Sequence, residues 1–468
     1  MMIRKLLVAA LLASTAACSM NPRLDKPAPP VAPAFAGADA SEEASAAAID
    51  WRDMFRDARL QRLIELALDN NRDLRVTALN VEAARAQFRI ARGAQLPQID
   101  ANGSYTRQRT PGSALTVPNA NGGGVEFGQF SANAALTSFE IDLFGRLRSQ
   151  SEAAFERYLA SDEGRRSARI ALISSVVDAY LAERLAEEQL ALTERTLATW
   201  QQSLEITRKL HAGGQSSGLE LAQAEGQVRQ AEADREARTR ALAQTRNLIQ
   251  LLTGAPLPAD LPAPTPLMQQ PILTELPAGL PSDLLANRPD IRQAEHELVA
   301  ANANVGAARA AFFPRLSLTG LLGMISPAFS GLFKGDNHTW SFTPQISQPI
   351  FHGGSLRGEL RLSEVRKSIA VAQYELAIQS AFREVSDGLA GRATYARQVS
   401  AQQAATDAAA KRVRLADLRY RAGVDGRLEL LDAQRSEYAA QQALLDLKRD
   451  ELSSASGLYR ALGGGDRE

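Results

Sequence analysis

Two stretches of the chain, residues 146–210 and 357–421, each run for about sixty-five residues without a proline. At 1.5 Å per residue, a helix of that length reaches about 97 Å. Helices of globular domains average about 11–12 residues, so a compact single-core domain has no room for either one. Their periodicity shows what they pack against. In the first stretch Leu185, Leu192 and Ile206 fall on one seven-residue series, with Thr199 as its polar member, and Leu190, Leu197 and Leu204 form a second. The two stripes lie about 140° apart around the helix, so it needs a partner on each side. A two-stranded coiled coil needs only one stripe. A ring of helices around a lumen satisfies the pattern, and a helical bundle with a solid core is the alternative. The segments that follow carry seams too: Leu221, Val228, Arg235, Leu242 and Ile249, then Leu431, Tyr438, Leu445, Leu452 and Tyr459.

The body of the chain is written twice. Asn70-Asn71-Arg72-Asp73-Leu74-Arg75 returns as Asn287-Arg288-Pro289-Asp290-Ile291-Arg292, a shift of 217 (290 − 73). Arg92, Pro97 and Gly103 meet Arg309, Pro314 and Gly320 at the same shift. Leu219-Glu220-Leu221 returns as Leu428-Glu429-Leu430 at a shift of 209 (428 − 219), so a loop is shorter in the second copy. The division predicted is a leader over 1–17, a tether over 18–55, repeats over 56–255 and 282–468, and a connector over 256–281 with eight prolines.

Each copy reads helix, strand pair, long helix, helix. Helical spacing predicts a helix over 57–94, which Gly93 and Pro97 end. Modest alternation predicts strands over 99–107 and 127–143, and again over 316–324 and 340–350. Four strands leave open edges, and lipid does not tolerate unpaired backbone groups. The smallest membrane barrels have about eight strands, so copies must pool theirs, and a three-fold ring gives twelve.

Composition narrows the function. Lys+Arg and Asp+Glu both total 53, which argues against nucleic acid as a partner. Four histidines and one cysteine leave no disulfide framework and little for a metal centre. The chain opens with Arg4-Lys5, a short apolar run over 6–13 and small residues before Cys18. That run is too short to span a bilayer and reads as a secretory leader, with a Pro/Ala/Ser-rich tether after it.

Several segments resemble the outer membrane factor family of TolC-like channels, in its lipoprotein branch of multidrug efflux proteins. They include Glu140-Ile141-Asp142-Leu143-Phe144-Gly145-Arg146, Phe313-Pro314-Arg315-Leu316-Ser317-Leu318 and Gln348-Pro349-Ile350-Phe351-His352-Gly353-Gly354. Tyr420-Arg421-Ala422-Gly423-Val424-Asp425 and Leu458-Tyr459-Arg460-Ala461-Leu462-Gly463-Gly464 continue the family's order. Cys18 looks like the lipid-attachment residue of a bacterial lipoprotein, and Ser19 after it implies the outer membrane. The resemblance implies a mainly α fold with a small membrane β-barrel: a homotrimer with a twelve-strand barrel in the outer membrane and an α-helical barrel crossing the periplasm. It also implies a periplasmic adaptor and a proton-driven inner-membrane pump as partners, no cofactor and no active site.

The turns after the long helices, 210–218 and 421–426, are expected at the periplasmic tip, with Gly213, Gly214, Gly218, Gly423 and Gly426 shaping an adaptor-docking surface. Gly426 can take positive φ at no steric cost. Asp417, Arg419, Tyr420, Arg421 and Asp425 lie near this end, and charge rings made of them would form a gate. Gly122-Gly123-Gly124 sits between strands and is no phosphate cradle. His296 reads as packed or surface-exposed, His211 has no sequence partner, and Glu187-Glu188 reads as solvated. An outer membrane channel for drug or metal efflux leads. A type I protein secretion channel, a periplasmic adaptor lipoprotein and an envelope hydrolase are the alternatives.

Overall fold

The structure is a computed structural model that describes residues 20–35, 49–111, 124–277, 284 and 286–464. Cys18, the leader, Gly122 and Gly123, residues 278–281 of the connector and residues 282 and 283 of the second repeat lie outside the described residues.

The first half contains α1 (Trp51–Met54), α2 (Ala58–Asn70), α3 (Arg72–Gly93), β1 (Ile99–Thr110), β2 (Val125–Ile141), α4 (Arg146–Ala212) and α5 (Gly218–Thr253). The second contains α6 (Pro289–Ala310), β3 (Arg315–Ser326), β4 (His338–Ser347), α7 (Ser355–Arg421) and α8 (Arg427–Ala461). The duplication is visible in element lengths: α3 and α6 have 22 residues each, β1 and β3 have 12, and α4 and α7 have 67. It is visible in backbone conformation as well. Left-handed glycines recur at 145 and 354, 214 and 423, 254 and 463, each pair 209 apart.

The helix expected over 57–94 is two helices. Asn71 interrupts them in an extended conformation, φ −60° and ψ 130°, and its side chain accepts from the Leu74 amide at 2.9 Å. That cap starts α3. Asp57 starts α2 in the same way, accepting from the amides of Arg59 and Leu60 at 2.8 and 3.1 Å.

By contacts the chain divides into two compact units. One gathers the described residues up to Pro27 with Glu82–Ala160 and Ala294–Gln373, and it holds the four-stranded sheet. Here the N-terminal segment lies on helices: Asn21 accepts from the Ser149 hydroxyl at 2.7 Å, and Asn302 donates to the Pro22 carbonyl at 2.9 Å. The other unit gathers Ala28–Val81, Ser161–Gln293 and the chain from Tyr374 onward. Its core includes the wholly buried Trp51, Met54, Phe55, Leu60, Ile64, Tyr180 and Leu181. A second cluster joins α4, α5 and α8 through Leu197, Trp200, Leu204, Val228 and Leu431. The stripe through Leu197 and Leu204 is therefore buried, whereas Ile206 on the other stripe is 52% exposed. Glu187 and Glu188 are not solvated bystanders. Glu187 pairs with Arg184 at 2.5 Å, and Glu188 accepts from the Leu267 amide at 2.5 Å.

Candidate functional site

The sheet is antiparallel in the order β1-β2-β3-β4. Cross-strand partners share a face, so the register sorts its side chains into two sets. Ile99, Leu136, Gly320 and Phe342 form one row; Ala101, Ala134, Leu322 and Trp340 form the next. On the opposite face the partners are Asn102 with Asn133, Ser104 with Ser131, Ser317 with Gln345 and Thr319 with Thr343. One face is thus apolar and the other carries hydroxyls and amides. Leu322, Trp340, Phe342 and Ile346 are 63–72% exposed, so none of the described residues covers this part of the apolar face. A soluble sheet buries that face, whereas a membrane barrel turns it to lipid and lines its lumen with the polar one.

Aromatic contacts lie near both ends of the apolar face. Tyr105 and Phe130 stand 4.4 Å apart by ring centroids, with Phe329 beyond Phe130 at 5.6 Å. Near the helix end Phe144 stacks on Phe313 at 4.7 Å. Such rings suit the two membrane–water interfaces. β2 carries one irregularity between Leu136 and Phe139, where Ser138 takes φ 51°. Pro349 limits β4, which ends at Ser347 rather than at residue 350. Its interior Pro344, opposite Leu318, supplies no amide donor to the ladder. No described helix is long and apolar enough to cross a membrane.

The two long-helix turns share a design. α4 closes on Gly214, φ 72°, with the Gln215 amide donating to the Leu210 carbonyl at 2.8 Å. α7 closes on Gly423, φ 71°, with the Val424 amide donating to the Arg419 carbonyl at 3.0 Å. Both are Schellman closures. Gly426 does not take positive φ: it is the extended N-cap of α8, φ −69°, and Gly423 makes the reversal. Gly218 begins α5 behind a capping box, in which Ser217 accepts from the Glu220 amide at 3.2 Å and donates its own amide to Glu220 at 3.1 Å.

The second copy uses the equivalent glutamate differently. Glu429 accepts from Arg412 at 2.8 Å, and the same guanidinium reaches Asp432 at 2.9 Å. Every expected gate residue finds a partner within the chain. Arg419 grips Asp425 through two bonds, the Nη2–Oδ1 one at 2.8 Å, and holds its carboxyl below the usual carboxylate range. Arg421 pairs with Asp417 one turn back at 2.9 Å. Tyr420 accepts from Arg427 at 3.0 Å.

Sequence reasoning missed Arg427, which is 5% exposed. It donates to the Ser203 carbonyl at 2.8 Å and hydroxyl at 2.6 Å, with its guanidinium 5.3 Å from the Tyr420 ring centre. It therefore ties α8 to α4 and α7. Arg412 and Asp432 were missed as well, although the Leu219–Leu221 match to residues 428–430 marks Glu429 as the counterpart of a capping glutamate. His296 pairs with Glu156 at 2.7 Å, and His211 lies 2.9 Å from the Ser216 carbonyl.

A sheet with a bare apolar face and a hydroxyl-lined one, running into helices of 67 residues, defines the wall of a membrane channel. Residues 63–255 and 280–464 match the family described as outer membrane efflux protein. The chain belongs to that family, and it is an efflux channel of the outer membrane that extends into the periplasm. It is 46% identical over 454 residues to the probable efflux pump outer membrane protein TtgC of Pseudomonas putida, covering 96% of this chain and 93% of that one. It is 43% identical over 450 residues to the outer membrane protein OprJ of Pseudomonas aeruginosa, covering 96% and 93%. The crystal structure of the open state of the MtrE outer membrane channel of Neisseria gonorrhoeae superposes with a TM-score of 0.87 at 39% identity, over 96% of this chain and 98% of that one. Family membership sets aside the periplasmic adaptor reading.

Proposed function

We propose that three copies of the chain form a passive exit duct for small toxic organic molecules. A periplasmic adaptor and a proton-driven inner-membrane pump deliver the cargo, and the chain itself catalyses nothing. The observation that carries this reading is the sheet: four strands with a lipid-type face and two open edges, β1 and β4. Open edges in hydrocarbon are costly, and pooling four strands from each of three copies removes them all. α7 supports the same reading, because Leu362, Val365, Ile369 and Leu376 form a helical stripe 39–61% exposed in the single chain. The cargo class follows relatives named for toluene and antibiotic efflux.

Lipidation at Cys18, after removal of 1–17, would add an anchor. Asn21 bonds Ser149 near the start of α4, and three residues of chain span about 10 Å, which brings that lipid to the helix-side rim of the barrel. The working division is a tether over 18–55 and repeats over 56–255 and 282–468 around the 256–281 connector. The turns bearing Gly213, Gly214, Gly218, Gly423 and Gly426 dock the adaptor. Asp417, Arg419, Tyr420, Arg421 and Asp425 form the gate, held shut by charge rings and ion pairs between the copies. Single-channel recording in planar bilayers tests this. The parent should conduct poorly, and Asp425→Asn, Arg419→Ala and Arg421→Ala should conduct more. No channel activity would overturn the function, and parental conductance at all five positions would overturn the gate.

A further inference from the structure

The duplication pairs α4 with α7 at a shift of 209 and α3 with α6 at a shift of 217. Within the chain α4 packs on α6. Ala153 joins the wholly buried Ala300 and Ala303, and one turn on Glu156 meets His296 at 2.7 Å. Carried across by the two shifts, the first contact falls on Leu362 with Ala83 and Ala86. The second falls on Val365 (156 + 209) with Leu79 (296 − 217). All five of these side chains are half-buried or exposed, and α3 buries only Val81. The face that α6 buries is thus the face that α3 leaves open.

The residue types at the matched positions have changed together. Where α4 and α6 carry an acid and an imidazole, α7 and α3 carry Val365 and Leu79. Either change alone would set a polar group against an apolar one. The stripes also share a spacing. Val76, Leu79, Ala83 and Ala86 recur at intervals of three and four, as do Leu362, Val365 and Ile369, which is the pattern of a helix seam. α3 of the same chain is engaged elsewhere: its Phe88 meets Phe155 of α4 at 5.1 Å. Phe155 lies about 200° around α4 from Ala153, so α3 and α6 flank α4 on opposite sides.

We infer that α7 of one copy seats on α3 of the next in the register that α4 takes on α6, with Val365 against the partner's Leu79. This rests on the three-copy duct proposed above and names the surfaces that close it. The contact is head-to-tail, because the two copies contribute different faces, and three such contacts close a ring.

Cross-linking of the detergent-solubilised full chain tests the register. Val365→Cys with Leu79→Cys, treated with a short bis-maleimide, should run at two and three chain masses on denaturing gels. Neither single variant, each keeping Cys18, should be bridged. Val365→Cys with Gly93→Cys stays on the same stripe but lies about 21 Å farther along α3, and it should not be bridged either. Light scattering gives a second reading. Val365→Glu should shift the mass toward one chain, and Leu79→His added to it should restore three by rebuilding the Glu156–His296 pair between copies. Helical content should stay at the parent's throughout. A three-chain mass without bridging through Leu79 overturns the inference and leaves the trimer standing. Bridging through Gly93, or no restoration by Leu79→His, overturns the register. Loss of helix in Val365→Glu would place that side chain in the protomer's own core and overturn the inference too. A one-chain mass for the parent overturns the three-copy duct and this inference together.

Discussion

At the scale of single residues, Asp57 joins three distant parts of the chain. It caps its own helix and accepts from Tyr180 on α4 at 3.0 Å and from Gln270, after α5, at 3.1 Å. Burial pushes its pKa up, but the bonds from the Leu60 amide, Thr265, Tyr180 and Gln270 outweigh burial and hold it below 3.8. A carboxyl depressed by folding stabilises the fold above its unfolded pKa, and that contribution fades as pH falls through the folded value. Tyr180 is pushed up by burial and by the Asp57 charge, so it stays a donor throughout. Asp57→Asn should therefore cost about 1–3 kcal/mol near neutrality. It should also flatten the fall in melting temperature between about pH 5 and pH 3. A variant with the parent's acid slope would refute the assignment. None of this was legible in the sequence, because the partners lie 123 and 213 positions away and Asp57 reads as an ordinary cap.

The left-handed glycines make a second prediction at this scale. A Cβ on Gly254 would come within 2.3 Å of the Asn70 carbonyl oxygen, whereas one on Gly214 meets nothing within 4 Å. Gly214→Ala should cost only the left-handed penalty, about 1–2 kcal/mol. Gly254→Ala should cost measurably more in urea unfolding, since α5 must also move away from Asn70. Equal costs would mean that the close approach is not rigid.

At the scale of elements, the strands and the long helices were legible because proline and glycine punctuate them: Gly93 and Pro97 before β1, Pro314 before β3, Gly145 and Gly354 before the long helices. The break at Asn71 escaped because neither a proline nor a glycine makes it. An asparagine side chain does, and it also donates to the Leu252 carbonyl 181 positions away. Which face of each strand meets lipid required the register, because the alternation is modest. That assignment is testable with one residue type on both faces. Leu322→Arg, at the centre of the apolar face, should cost about 2–4 kcal/mol in the membrane. Thr319→Arg, on the hydroxyl face, should cost far less and alter conductance instead. Heat resistance of the folded band on gels and bilayer recording separate the two. Equal loss of folding in both would mean that the faces are not distinguished by lipid.

At the scale of the whole molecule, what matters is how much the single chain leaves unsatisfied. Its sheet has two edges and a bare apolar face, and α7 has an apolar stripe that the described residues leave about half exposed. Ile369 and Leu376 on that stripe are 51% and 61% exposed. Removing them disturbs no core packing, so the protomer should keep its fold when they are charged. If sister copies cover the stripe, Ile369→Glu with Leu376→Glu places two carboxylates in each apolar interface, a cost of several kcal/mol per site. The parent in detergent should show three chain masses by light scattering, and the double variant should fall toward one chain mass with unchanged helical content. Loss of helix along with mass would place the stripe inside the protomer's own core. An unchanged mass would leave the sheet edges as the site where copies join, so the edges and the helix stripe can be tested separately.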